Sequence, residues 1–155
     1  MAGWLNRFFQ REEMDGDGRC ATYLVRWTLV KWLGGRALYL HHFVGDDWSL
    51  DLHDHPKRFI SIGLWGGYAE ITPDFSFQSA LKHGAEQTRI FRAPWVRTFP
   101  AEHIHRIELL EDRRPCWTLV MVLKTVRPWG FWHGGSWIPW RTYVGSETAT
   151  KMKSC

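Results

Sequence analysis

The stretch DLHDHPKRFISIGLWGGY, Asp51 to Tyr68, decides how the rest of the chain is read. From Arg58 to Trp65 it is rich in β-branched and aromatic residues, and Gly66-Gly67 closes the run. That composition predicts a strand ended by a turn. His53 and His55 stand just before it, two residues apart. Alternate residues of an extended chain share a face, so both imidazoles can enter one cavity.

The same grammar recurs on both sides. Tyr23–Trp32 (YLVRWTLVKW) and Arg36–Gly45 (RALYLHHFVG) flank Gly34-Gly35, which predicts a hairpin. Further strand-like runs are Gly67–Pro73, Glu86–Ala93, Trp95–Pro100, Ile104–Leu110, Cys116–Lys124, Trp129–His133 and Ser136–Val144. Short strands at even spacing, with no long helical period between them, predict an all-β barrel or sandwich. Two stretches read differently. Trp4, Leu5, Phe8 and Phe9 recur at helical spacing, predicting a short N-terminal amphipathic helix. Phe75–Gly84 reads as a long loop or frayed turn. The predicted organisation is a helix and linker over 1–20, a β-barrel over 21–144 and a flexible polar tail over 145–155.

At 155 residues, 45% of them hydrophobic and 23% charged, the chain suits one globular domain. No run approaches the roughly 20 apolar residues of a transmembrane helix, so no membrane role is expected. The opening residues lack the pattern of a secretory signal, and three scattered cysteines form no CxxC pair. Both features predict a reducing, cytoplasmic setting. A net charge of +4, with the basic residues scattered, argues against nucleic acid as a partner.

Six of the eight histidines fall in close pairs: His41-His42, His53-x-His55 and His103-x-His105. If His105 lies across the cavity from His53 and His55, three imidazoles converge. Three protein ligands would leave an open position on a catalytic ion, and imidazole suits Zn, Fe, Ni and Cu. The competing reading makes LHDHP a polar turn with solvated histidines.

The run from Gly45 through His53-Asp54-His55-Pro56 to Gly66-Gly67-Tyr68 resembles the first cupin motif. Pro100-Ala101-Glu102-His103-Ile104-His105 resembles the second, with His105 at the metal-binding histidine. More narrowly, LHDHP, GGYAE, HRIEL, WTLV and RPWGFW look like the small cupin-like proteins of bacteria and their phages, over roughly residues 36–143. The resemblance implies a double-stranded β-helix, the jelly-roll barrel, with His53, His55 and His105 as metal ligands. Phe59 and Ile60 stand where the usual first motif supplies a glutamate, and Glu102 replaces the usual glycine of the second. What remains is similar to the three-His centre of cysteine-dioxygenase-type cupins. That likeness favours Fe(II), with Zn, Ni or Mn as alternatives. Glu102 should face outward on a regular strand.

Other candidates surround this set. His41 is a candidate acid or base, and either His41 or His42 faces the cavity. His103 is a candidate ligand, base or substrate contact. Tyr68 is a candidate because cupin epimerases pair Tyr with His. Among Arg58, Arg92, Arg97 and Arg106, one or two can point inward to hold an anion. Trp129, Trp132, Trp137 and Trp140 form either an aromatic wall for a ligand or a hairpin that closes the barrel and a homodimer seam. The leading expectation is a metal-dependent enzyme on a small molecule, a dioxygenase or isomerase. The alternatives are a non-catalytic binding module and a metal-free, epimerase-like cupin.

Overall fold

The computed structural model describes residues 9–15, 21–76, 84–110, 112 and 114–144. Their strands are β1 (Gln10–Met14), β2 (Leu24–Lys31), β3 (Ala37–Phe43), β4 (Leu52–His53), β5 (Lys57–Trp65) and β6 (Gly67–Pro73), followed by β7 (Glu86–Arg92), β8 (Trp95–Phe99), β9 (Arg106–Leu109), β10 (Cys116–Thr125), β11 (Gly130–His133) and β12 (Ser136–Pro139). One short helix, α1 (Trp140–Val144), follows. No helix among the described residues is long and apolar enough to cross a membrane.

One sheet runs β1-β2-β3-β10-β5-β8, and its described pairings are antiparallel. Two smaller sheets run β12-β11-β4 and β7-β6-β9. A bridge between His53 and His105 joins these two, each residue's N–H donating to the other's carbonyl at 2.9 and 3.0 Å. After β3 the chain repeatedly crosses between the layers: β4, β6, β7 and β9 lie in one, and β5, β8 and β10 in the other. That alternation is the jelly-roll arrangement, and it matches the predicted barrel.

The Gly34-Gly35 hairpin is present between β2 and β3, with both glycines at positive φ. Gly66 also has positive φ, and a Cβ there would sit 2.2 Å from the Pro115 carbonyl oxygen. Only glycine allows the chain to turn so closely past β10.

Two predicted elements differ. Gln10–Met14 is strand β1, not the end of a helix. Glu12 finds a cross-strand ion-pair partner in Arg26 of β2, and the strand covers the β2 edge. The rest of the predicted helix, residues 1–8, lies outside the described residues, as do the tail 145–155 and residues 77–83. At the other end the predicted strand stops at Pro139, and α1 takes over. Proline cannot donate to the ladder, and the helix carries Tyr143 inward. Tyr143 is fully buried, stacks on Phe131 at 4.1 Å and hydrogen-bonds Ser49 Oγ at 2.6 Å and Asp51 Oδ2 at 2.5 Å.

Two packed clusters hold the layers together. Leu24, Phe43, Tyr68, Ile107, Leu109 and Cys116 form one, and Trp48, Phe131 and Tyr143 the other. The interior is not filled throughout, and a cavity of about 370 Å³ remains between the sheets.

Candidate metal centre

His53, His55 and His105 line that cavity together. Each offers a ring nitrogen, and the three nitrogens lie within 4.8 Å of one another. His53 ends β4, His55 follows it, and His105 immediately precedes β9. The backbone bridge between His53 and His105 therefore fixes how closely two of the imidazoles approach. His55 N–H also donates to the Ala101 carbonyl at 2.9 Å, holding the third.

The solvated-turn reading fails on Asp54. Between the two histidines its side chain points away from them and is 1% exposed. It accepts from Gly130 N–H at 2.8 Å and Trp137 Nε1–H at 3.0 Å, and pairs with Arg127 at 3.0 Å. Alternation thus sends Asp54 into the β11–β12 hairpin and both histidines into the cavity. Trp129 stacks on Trp140 in the same region, and none of Trp129, Trp132, Trp137 and Trp140 lines the cavity. The aromatic run forms the β11–β12 hairpin, which extends the sheet of β4.

A carboxylate not predicted as part of the centre fixes His105. Glu70, 1% exposed on β6, accepts from His105 Nδ1–H at 2.9 Å, His103 Nε2–H at 3.0 Å and Arg97 Nη2–H at 2.5 Å. Burial pushes this acid up, but those three donors outweigh burial and hold it well below the ordinary carboxylate range. His105 Nδ1 is committed, so Nε2 carries the lone pair, 2.9 Å from His55 Nε2. Glu70, His103 and His105 also form a second cluster of ligating types. There the Arg97 cation already neutralises the carboxylate, which disfavours a metal ion.

Asp47 was also missed by sequence reasoning. It lines the cavity, accepts from Ile107 N–H at 2.8 Å and sits 3.9 Å from His53 Nδ1. Burial raises it to about 6, against the pull of His105 and the Ile107 amide. The same burial, with mutual repulsion among the imidazoles, lowers His53 and His105 to about 4 and His55 further. All three rings are neutral at pH 7, the form that ligates a metal. The donor set fits a divalent ion: three neutral nitrogens, one oriented by a buried carboxylate and one beside another.

The remaining candidates separate. His41 points inward and lines the cavity, with Nε2 buried and without a partner among the described residues. His42 faces out, stacked on Trp117 at 3.9 Å. Tyr68 lines the cavity from within the core, and its hydroxyl accepts from Arg97 at 3.2 Å. His103 lies behind His105, packed on Phe99 and bonded to Glu70. Of the four arginines, Arg97 turns inward but is taken by Glu70, while Arg106 pairs with Glu86 and Glu108. Glu102 is exposed, but in a turn after β8 and not on the regular strand the expectation assumed.

No family model matches this sequence, and no curated protein matches it. Solved structures do. A cupin-2 domain protein from Rhodospirillum rubrum superposes with a TM-score of 0.53 at 15% identity, covering 82% of this chain and 76% of its own. HppE in its Fe(II) form gives 0.51 at 11% identity, over 74% of this chain and 57% of HppE. CapF, solved with an inhibitor, gives 0.51 at 13% identity, over 77% of this chain and 31% of CapF. The chain thus spans about a third of CapF and little more than half of HppE. These likenesses are of fold: the chain has the jelly-roll barrel that these structures share.

Proposed function

We propose that this barrel is a metal-dependent enzyme acting on a small molecule, with His53, His55 and His105 holding a divalent ion. The observation that carries the reading is the convergence of three neutral imidazoles on one cavity, with Glu70 fixing which nitrogen His105 presents. A three-nitrogen set accepts Fe(II), Zn, Ni or Mn, and Fe(II) is favoured by the likeness to cysteine-dioxygenase-type centres and by HppE among the structural neighbours. The ion would supply Lewis acidity or oxygen activation, the isomerase-like and dioxygenase-like versions of the reading.

The protein's own groups do the rest. Phe43, Phe59 and Phe99 make the walls apolar and limit water around a bound substrate. His41, held neutral by burial and Arg26, can offer a hydrogen bond at Nε2 to a bound molecule. Asp47, titrating near neutrality beside His53, can exchange a proton with the cavity. Tyr68 is poorly placed for that work, because burial raises its hydroxyl and Arg97 occupies it. That placement weighs against the metal-free His/Tyr reading.

The test asks whether the ion keeps an open position. Fe(II)-loaded protein exposed to nitric oxide should give the electron paramagnetic resonance signal of an iron–nitrosyl species, absent in His105→Ala. Fe(II)-loaded protein that takes up no nitric oxide would be a closed structural site, and the enzyme reading would fall.

A further inference from the structure

The wall of the cavity across from the histidines carries its own chemistry. Arg26, His41 and Thr118 sit in direct cross-strand register on β2, β3 and β10, and all three line the cavity. His41 Nε2 and Thr118 Oγ1 are buried with no hydrogen-bond partner among the described residues. Buried polar atoms are seldom left unsatisfied, and where they face a cavity a ligand or water completes them.

Charge completes the pattern. Arg26 and Lys57, both half-buried, line the same cavity. Arg26 pairs with Glu12 and lies over the Tyr39 ring, 4.6 Å from its centroid. The Lys57 ammonium donates to the Gly35 carbonyl at 2.5 Å and has no carboxylate partner among the described residues. Partial burial, with Arg26 and Lys31 nearby, lowers its pKa. Asp47 is the only acid lining the cavity among the described residues, and it is committed to Ile107 N–H on the histidine side. The cavity therefore carries surplus positive charge at Arg26 and Lys57, with apolar walls and the unpartnered neutral atoms of His41 and Thr118 beside it.

We infer that the cavity takes a small organic acid, its carboxylate held by Lys57 and Arg26 and its uncharged polar part reaching His41 and Thr118. This deepens the reading of the barrel as a small-molecule site by naming the substrate class. At about 370 Å³ the space lies near the lower end of the roughly 300–1,000 Å³ usual for ligand sites, which keeps the acid small.

The test is calorimetric titration at low ionic strength with benzoate and succinate, each against its uncharged amide, on metal-free and Ni(II)-loaded protein. At least one acid should bind metal-free protein, at least about tenfold more tightly than its amide. Lys57→Met should weaken that binding about tenfold while keeping the wild-type circular dichroism; Arg26→Gln is the second variant should the first fail to fold. Equal binding of acid and amide, no binding of either acid, or an affinity unchanged in the folded variants overturns the inference. Acid binding that needs Ni(II) and vanishes in His105→Ala, yet survives Lys57→Met, also overturns it while leaving the metal centre standing. Acid binding without any metal uptake supports the acid site and removes the metal centre instead.

Discussion

Glu70 Oε1 accepts the Nδ1 proton of His105 at 2.9 Å, and this contact decides which nitrogen His105 offers to the cavity. The carboxylate can only accept, so the tautomer follows from the geometry. Glu70 in turn is held by Arg97, which lies over the Phe91 and Phe99 rings. A chain of contacts from the β8 arginine to the β6 acid thus fixes a ring that belongs to neither strand.

Glu70→Gln keeps the shape but weakens the acceptor and removes its charge. Metal affinity, measured against a competing chelator, should fall about 10–100-fold, the usual cost of losing a partner behind a ligand. His105→Ala should lose the metal outright. Equal affinities in wild type and Glu70→Gln would mean that the carboxylate does not orient the ring.

Asp54 ties the strand bearing His53 to the terminal hairpin through Gly130, Trp137 and Arg127. Asp54→Ala leaves buried donors and a cation without their partner and should destabilise the fold by about 3–5 kcal/mol. Asp54→Asn, which still offers an acceptor, should cost clearly less. Urea unfolding of the two variants checks the order.

His41 titrates at about 3 in the folded protein because burial and then Arg26 disfavour its charge, against about 6.5 when unfolded. The unfolded chain therefore takes up this proton first. Stability tied to neutral His41 is fully present above pH 6.5 and is lost as pH falls from there toward 3. Metal-free wild type should lose on the order of 2 kcal/mol more than His41→Gln between pH 7 and pH 4.5. Parallel urea midpoints across that range would contradict a buried neutral imidazole.

Cys116 is fully buried, and burial pushes its thiol up to about 12. Iodoacetamide at pH 8 should leave the Cys116 peptide unlabelled in native protein and label it fully in urea, read by mass spectrometry. Rapid native labelling would show that β10 opens.

The sequence exposes the three-histidine cluster because its signal is local. His53 and His55 share a face by the period of a strand, and the strands around them mark an all-β fold. Glu70 leaves a fainter trace: it stands two residues beyond Tyr68, and the structure brings both to Arg97. Which residues of one layer meet those of the other depends on inter-sheet register, and no pattern within a single strand encodes it. Asp47 is silent for the same reason, being a loop residue whose role follows from the Ile107 amide across the barrel. At Gln10–Met14 the apolar spacing of the preceding residues points to a helix, yet pairing with the open β2 edge prevails. Neither His41 nor His42 is distinguished by its type; the register of β3 against β10 turns one inward.

The most direct measurement is metal content per chain, by elemental analysis of untagged protein after anaerobic loading with Fe(II). The structure predicts close to one equivalent in the wild type and almost none in folded His53→Ala, His55→Ala and His105→Ala. No bound metal in the wild type, or full occupancy in any of those variants, would contradict a centre built on these three histidines.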